Sequence, residues 1–514
     1  MKPLRVRLQL LVSSLCVWLG FIPQAGRAFD SGHHWELTSQ VLHEMGFSVD
    51  ARQTACVSNW MLDYYSSSPT GSRQLREELS KLHCDNLYTA ESARHYLAHF
   101  THNAKTSLIS QSSGSTSDRE VMLLLGAVLH VVQDLYSHSN WLEQYSKPDV
   151  LSNHTWSSSG ERVPPSFLTG SYDPRPYVAE TTPEEHPLHG SYHDGMHKDS
   201  HDRQMWPQAY YLAYCASREF VEAFRTWIPE ARWNKLRKLN LDPLARLELN
   251  QEMKAAYGIS LWIDGGKIHG HWKGGNSGHK AMFLKCILSF LTLSSRNALW
   301  YRTWKGYRPL IKGLYTSLPA PRSSTPLVPG LHLKRTAVML QIVKVCEKGT
   351  SLDHTFWGKP DFYLSGGAHY GKPRQKPQTL LGSILEPKSE PISPFDGKLN
   401  SLFRDRVIQA SCSCEDPWKA LIIADDKMLA ANHHVLTFFL DVGEEDPGRD
   451  DIADISPARD RRGLVIHYDV KTSKVTLSDT GAVYAAGRGK PITTSGDQRH
   501  SVELTFEIYS VPTK

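Results

Sequence analysis

Between Asp118 and Tyr145 the chain carries apolar residues at helical spacing, namely Val121, Leu124, Leu125, Val128, Leu129 and Val132. That periodicity predicts one helix over 118–145, with an apolar face that packs inside a bundle. Within the run lie His130, Asp134 and His138. Four residues turn a helix through about 400°, so positions i, i+4 and i+8 form one stripe. Two imidazoles and a carboxylate so arranged can grip a borderline-soft divalent metal, with zinc favoured. The competing reading, a solvated polar stripe, sits badly with the surrounding Val, Leu and Tyr.

Three other places could complete such a cluster: Phe29-Asp-Ser-Gly-His33-His34-Trp35, Asp63 in Trp60-Met-Leu-Asp63-Tyr, and Leu82-His83-Cys-Asp85-Asn86. Downstream, His193, His197 and His201 recur at four-residue intervals, with Asp199 among them. Each also has a plain reading. Asp63 could be a surface acid or a helix cap, His83 an ordinary histidine, and the downstream histidines a loop surface. His95, His99 and His102 share helical spacing too and read as structural or surface residues. Fifteen of the 25 histidines fall between His33 and His201, about twice their proportional share, so the chemistry concentrates in the first two hundred residues.

The rest of the chain divides by composition. Lys2, Arg5 and Arg7 precede an apolar run from Leu8 to Ile22, and Gly26-Arg27-Ala28 supplies small residues for a cut. Residues 1–28 read as a secretory signal peptide, too short for a bilayer span, and cleavage would expose Phe29 as the mature N-terminus. Removing the four bases of that segment takes the formal charge from +5 to +1, which gives no global argument for a nucleic-acid partner. Residues 29–264 read as an all-α domain, with helices at Trp35–Met45 (stopped by Gly46), Asp118–Tyr145 and Ala209–Trp227, and a long loop over 146–200. Residues 265–334 form a basic, aromatic-rich segment ending in a Pro-rich linker, Ser317–Gly330. The stretch 265–346 has 13 Lys or Arg and no acid, leaving the remainder of the mature chain near −12. Aromatic plus basic composition suits an anionic membrane surface; nucleic acid ranks behind it, and a basic face covering an acidic remainder is the plain alternative.

Residues 335–514 read as an all-β sandwich, with strands expected at Val338–Cys346, Val407–Ala410, Val435–Val442, Gly463–Val470 and Val502–Val511. The acidic stretch Asp441–Ile455 offers oxygen ligands for calcium, or is simply a solvated loop. Export permits disulfides, and the seven cysteines outside the signal leave at least one free or paired between chains. Asn153-His-Thr is a glycosylation acceptor only in a host that glycosylates.

The order of motifs resembles the zinc-dependent phospholipase C and single-strand nuclease superfamily, in its Het-C-like secreted branch. The matching run goes from His34 behind a mature N-terminus, through Asp63 and Leu-His83-x-Asp-Asn, to Leu-His130-x-x-Gln-Asp134-x-Tyr-x-His138-Ser-Asn-Trp, and ends at His193-x-Gly-Met-His-Lys-Asp199-Ser. It spans roughly residues 29–230. The resemblance implies an all-α domain holding up to three zinc ions, with the Phe29 amine, His34, Asp63, His83, His130, Asp134, His138, His193 and His197 as ligands. Asp63 would also serve as general base. Three residues separate Asp134 from His138, as in the Het-C-like branch, where the family's enzymes usually have five. The usual closing His-x-x-x-Asp/Glu stands here as His193-x-x-x-His197. The implied reaction is hydrolysis of a phosphodiester, most simply in a phospholipid head group. A non-catalytic zinc-bearing interaction protein and a secreted nuclease are the alternatives.

Overall fold

The computed structural model describes residues 31–67, 79, 81–87, 89–113, 116–145, 151, 163, 165–167, 169–170, 198, 205–247, 249, 309–315, 334–347, 361–371, 408–409, 418–444, 451–457, 463–496 and 501–513, excluding the side chains of 31–32, 63–67, 145, 361–366, 408–409, 418, 443–444 and 451–453. The expected signal peptide, the long loop over 146–200 and the Pro-rich linker fall wholly or mostly outside these residues.

Helices fill the N-terminal part and antiparallel sheets the C-terminal part. The helices are α1 (Ser31–Glu44), α2 (Val49–Ser67), α3 (Ala90–Ser113), α4 (Asp118–His138), α5 (Trp141–Tyr145), α6 (Trp206–Trp227) and α7 (Glu230–Arg237). α1 stops where the sequence predicts. Gly46 takes φ +75°, its N–H reaches the His43 carbonyl at 2.8 Å, and the Phe47 N–H reaches Leu42 at 3.0 Å. This double closure of the last turn is one that a left-handed glycine permits.

α4 is the hub, in contact with α1, α2, α3, α6 and α7. Ser117 caps it, Glu120 returns a bond to the Ser117 N–H, and Asp118 and Glu120 sit at the positive end of its dipole. Every residue from Val121 to His138 is buried. By length and composition α4 could cross a membrane, but its apolar stretch lies wholly inside the fold. The single helix expected over 118–145 is interrupted: Ser139 is extended (φ −116°, ψ 163°) and pairs with Thr169, so α4 ends at His138 and α5 restarts at Trp141. α4 meets α2 backbone to backbone at Gly126, where a Cβ would lie 2.1 Å from the Ala55 carbonyl oxygen. Gly126→Ala should therefore destabilise by about 1–3 kcal/mol despite alanine's better helix propensity, read as a lower urea midpoint.

The β part contains β1 (Arg335–Glu347), β2 (Asp361–Tyr370), β3 (Ile408–Gln409), β4 (Trp418–Asp425), a short helix α8 (Asp426–Ala431), β5 (Val435–Glu444), β6 (Asp451–Ala453), β7 (Leu464–Asp469), β8 (Lys474–Leu477), β9 (Val483–Ala485), β10 (Ile492–Ser495) and β11 (Val502–Val511). One sheet runs β10-β11-β1-β4. The other runs β3-β2-β5-β7-β8-β9, with β6 on β5. Their facing side chains share one core, a sandwich. Strand alternation on β1 divides its burial: Val338, Leu340 and Ile342 enter the sandwich core, while Ala337 and Met339 enter the helical core beside Leu421 and Ile423 of β4. A bulge at Val343 shifts the register with β11, so Val345 returns to the inner face. Cys346 is disulfide-bonded, whereas Cys84 and Cys215 are buried thiols.

Polar contacts reinforce the junction between helices and sheet. The Arg335 guanidinium donates to Glu44 at 3.1 Å and to the Tyr214 hydroxyl at 2.8 Å, and also binds Asp425. Arg218 adds a bond to Glu44 at 3.2 Å, and Gln40 Nε2 reaches the Ile423 carbonyl at 2.8 Å. Residues 309–315, from the basic segment, pack with the helices: Ile311 and Leu314 are buried and Asn103 donates to the Leu314 carbonyl at 3.0 Å.

Candidate metal centre

α1, the segment after Leu82, and α4 deliver their histidines to one point. His34, His130 and Asp134 are each 0% exposed, and one ligand atom from each lies within 4.8 Å of the others. Asp134 is the focus. Its Oδ1 faces His34 Nε2 at 3.0 Å, and its Oδ2 faces His83 Nδ1 at 3.0 Å and His130 Nε2 at 3.1 Å. His130 Nε2 and His83 Nδ1 are 3.1 Å apart. A tetrahedral ion with bonds of about 2.0–2.1 Å holds its ligand atoms about 3.3 Å from one another, close to these spacings.

The outer ring nitrogens say which lone pairs point inward. Gln133 Nε2 donates to Thr38 Oγ1 (3.1 Å) and Ser217 Oγ (3.2 Å), which leaves Gln133 Oε1 to accept from His34 Nδ1–H at 2.6 Å. Asn59 Nδ2 donates to Thr38 Oγ1 (2.8 Å) and Gln133 Oε1 (3.0 Å), so Asn59 Oδ1 accepts from His130 Nδ1–H at 2.9 Å. With Nδ1 committed outward, both His34 and the neutral His130 turn Nε2 toward a carboxylate. An imidazole nitrogen against a carboxylate at this distance is favourable only with a proton or a cation between them. Amide oxygens that orient metal-binding imidazoles in this way are the usual outer support of such a site. The donor set fits a divalent cation, and the buried group formed by His34, His130 and Asp134 could hold one.

Burial pushes His130 down to about 3, with His34 and His83 adding to the effect against the opposing pull of Asp134. His138 falls to about 4, again chiefly through burial. For Asp134 burial works upward, but His130, His138 and His34 outweigh it and hold the carboxyl well below its usual range. Burial, then Asp134, pushes the Cys84 thiol up, so it stays protonated and donates to the Val131 carbonyl at 3.4 Å. These shifts predict acid lability in the metal-free protein. Native His130 and His138 stay neutral, while the unfolded chain takes up protons below about 6.5. Stability present above about pH 6.5 is then lost as pH falls toward 4, by up to about 1.4 kcal/mol per unit for each histidine. A urea midpoint that does not move between pH 7 and 4 would contradict this.

His83 is placed by a kinked backbone. Cys84 (φ 55°) and Asn86 (φ 61°) both adopt the left-handed region, rarely occupied by residues other than glycine. The turn puts His83 against Asp134 and sends Asp85 toward His138, whose Nδ1 lies 3.5 Å from Asp85 Oδ1 and donates to the His83 carbonyl at 2.8 Å. Such strain is characteristic of functional positions.

The stripe expectation needs one correction. His138 is not part of the His34, His130 and Asp134 group whose ligand atoms lie within 4.8 Å of one another, although Asp134, His83 and His34 all act on its charge. His138 stands one layer away, with Asp85. Asp63 lies on α2 with its side chain outside the described residues, as do Phe29, His193, His197, Asp199 and His201 entirely. Lys198, between the downstream histidines, is described: its N–H bonds the Ser137 carbonyl at 2.9 Å and its Nζ the Ser139 carbonyl at 2.6 Å, at the end of α4. Asn59, Thr38 and Ser217 escaped sequence reasoning, and Gln133 entered it only as part of the His130–His138 motif. Only the position of Gln133, next to Asp134, hinted at a role. In the acidic stretch considered for calcium, residues 445–450 are outside the described set. Asp441 is buried, and burial pushes its carboxyl up to about 7.

No protein-family model, curated protein or solved structure matches the chain.

Proposed function

We propose that the chain is an exported zinc protein of the phospholipase C type, in the Het-C-like branch, that hydrolyses phosphodiesters. The observation that carries the reading is the convergence of His34, His83 and His130 on Asp134, with two imidazoles oriented from outside by amide oxygens. Nitrogen and oxygen donors without thiolate suit zinc among the available divalent ions. A zinc ion held there supplies Lewis acidity and a water that ionises near neutral pH. His34, His83, His130 and Asp134 would hold it. His138 and Asp85 mark a second position, which the resemblance would complete with Asp63, the Phe29 amine, His193 and His197. Asp63 would take the proton of the attacking water. The buried Lys198, which follows His197 in sequence, bonds the end of α4. The Cys346 disulfide agrees with export after cleavage of residues 1–28. The basic aromatic segment would meet an anionic membrane carrying the phospholipid substrate, and calcium held by the acidic stretch Asp441–Ile455 would assist that contact.

One observation favours a second reading, a non-catalytic zinc-bearing interaction protein: His34, His130 and Asp134 are completely buried. The test is turnover of phosphocholine, phosphoinositol and single-stranded nucleic-acid substrates with and without chelator. Chelator-sensitive release of a phosphorylated head group is expected. Zinc retained without turnover on any substrate would establish the scaffold reading, and cleavage of nucleic acid alone would make the protein a nuclease.

A further inference from the structure

The other helically spaced histidines, His95, His99 and His102, lie on α3. Ala93, Leu97, Phe100 and Ala104 face the core. At 100° per residue the three histidines occupy the opposite side of the helix. His95 and His102 are exposed and His99 is half-buried. The His95 and His99 rings stand 4.0 Å apart between centroids, tilted by 32°. Nε2 of His99 is buried with no hydrogen-bond partner among the described residues. A buried ring nitrogen without a partner is costly unless something else satisfies it. Burial first, then His95 and His102, holds His99 below the usual histidine range, so its ring is neutral at physiological pH and offers a lone pair. The neighbouring cations of α3 are engaged elsewhere: Arg94 reaches the Val163 carbonyl at 3.5 Å, and the Lys105 ammonium lies 5.5 Å from the centre of the Trp227 ring. Glu91, one turn before His95, is an exposed carboxylate on the same side.

We propose that His95 and His99 form a second metal site, a two-imidazole clamp on the outer face of α3 that takes a borderline divalent transition ion such as Zn²⁺ or Cu²⁺, with water filling the remaining positions. Imidazoles at i and i+4 lie on one face of a helix and can share an ion. The two rings pack ring on ring, 4.0 Å between centroids, so taking an ion means rotating both side chains until one nitrogen of each stands about 3.3 Å from the other. The site has no residue in common with the buried centre and does not depend on the proposed catalysis. With two protein donors and open water positions it binds more weakly than the buried group.

The test is calorimetric titration of the full-length protein, as purified, with Zn²⁺, alongside electron paramagnetic resonance after one added equivalent of Cu²⁺. The parent should take up one Zn²⁺ beyond its resident metal, and the added Cu²⁺ should show coupling to two imidazole nitrogens. In the H95Q/H99Q double variant this equivalent should vanish, with the resident metal unchanged. H95Q alone, at an exposed position that cannot threaten the fold, should weaken the added site at least tenfold. Parent-like Zn²⁺ uptake and Cu²⁺ spectra in H95Q would overturn the proposal.

Discussion

Asp134→Ala should abolish cation binding at the buried group and lower folding stability by about 3–5 kcal/mol, the range for removing one member of a buried ionic group. Asp134 is 0% exposed and touches three imidazoles within 3.1 Å. It supplies the one negative charge of the group formed by His34, His130 and Asp134. Without it, His34 and His130 remain fixed by Gln133 and Asn59 with their lone pairs converging on a cavity. The imidazoles alone cannot offset the charge of a divalent ion out of contact with water. Asp134→Asn separates charge from shape, since it keeps the volume and loses the carboxylate. It should lose the metal while keeping more of the stability. Elemental analysis of the purified variants, with urea unfolding, reads both effects. Metal retained at the parental level in Asp134→Ala would remove the site from the account.

Arg335→Ala should cost about 3 kcal/mol or more and split thermal unfolding into two transitions. Arg335 has 7% side-chain exposure and bridges Glu44 of α1 and Asp425 of β4, with Tyr214 of α6 as a third partner. Its removal leaves two carboxylates facing each other across the junction, with Arg218 as the remaining guanidinium partner of Glu44. The apolar contact of Ala337, Met339, Leu421 and Ile423 with the helical core persists, so the halves stay associated but less firmly coupled. Differential scanning calorimetry distinguishes the outcomes. A single transition at the parental temperature would show that apolar packing alone joins helices and sheet.

The sequence reveals the elements whose own residues carry their pattern. α4 announces itself by apolar periodicity and a capping box. β1, β5, β7 and β11 are marked by β-branched and aromatic runs, and α1 by the glycine that ends it. Elements dictated by distant partners escape. α2 buries Thr54, Ser58 and Asn59 among its apolar residues, which blurs its periodicity. They are inside because they serve neighbours: Ser58 bonds the Leu123 carbonyl and Asn59 orients His130. β2 carries Gly366-Gly367, which reads as a turn, yet pairs along β5 without a break. The break after α4 depends on Thr169, some thirty residues away.

The site divides in the same way. His34, His83, His130 and Asp134 are residue types that bind metal, and their order along the chain was enough to group them. The amides of Gln133 and Asn59 are unremarkable in composition and acquire meaning only from where they point. His138 shares the helical phase of His130, yet its Nδ1 is taken by the His83 carbonyl and lies beside Asp85, which a stripe argument does not foresee.

The most direct test of a buried cation held by His34, His83, His130 and Asp134 is X-ray absorption at the zinc edge. It is done on protein isolated from its native source without added metal. The account predicts at least one equivalent of zinc, with nitrogen and oxygen neighbours at about 2.0–2.1 Å and no sulfur at about 2.3 Å. Protein that is folded and metal-free, or zinc bound through sulfur, would contradict it.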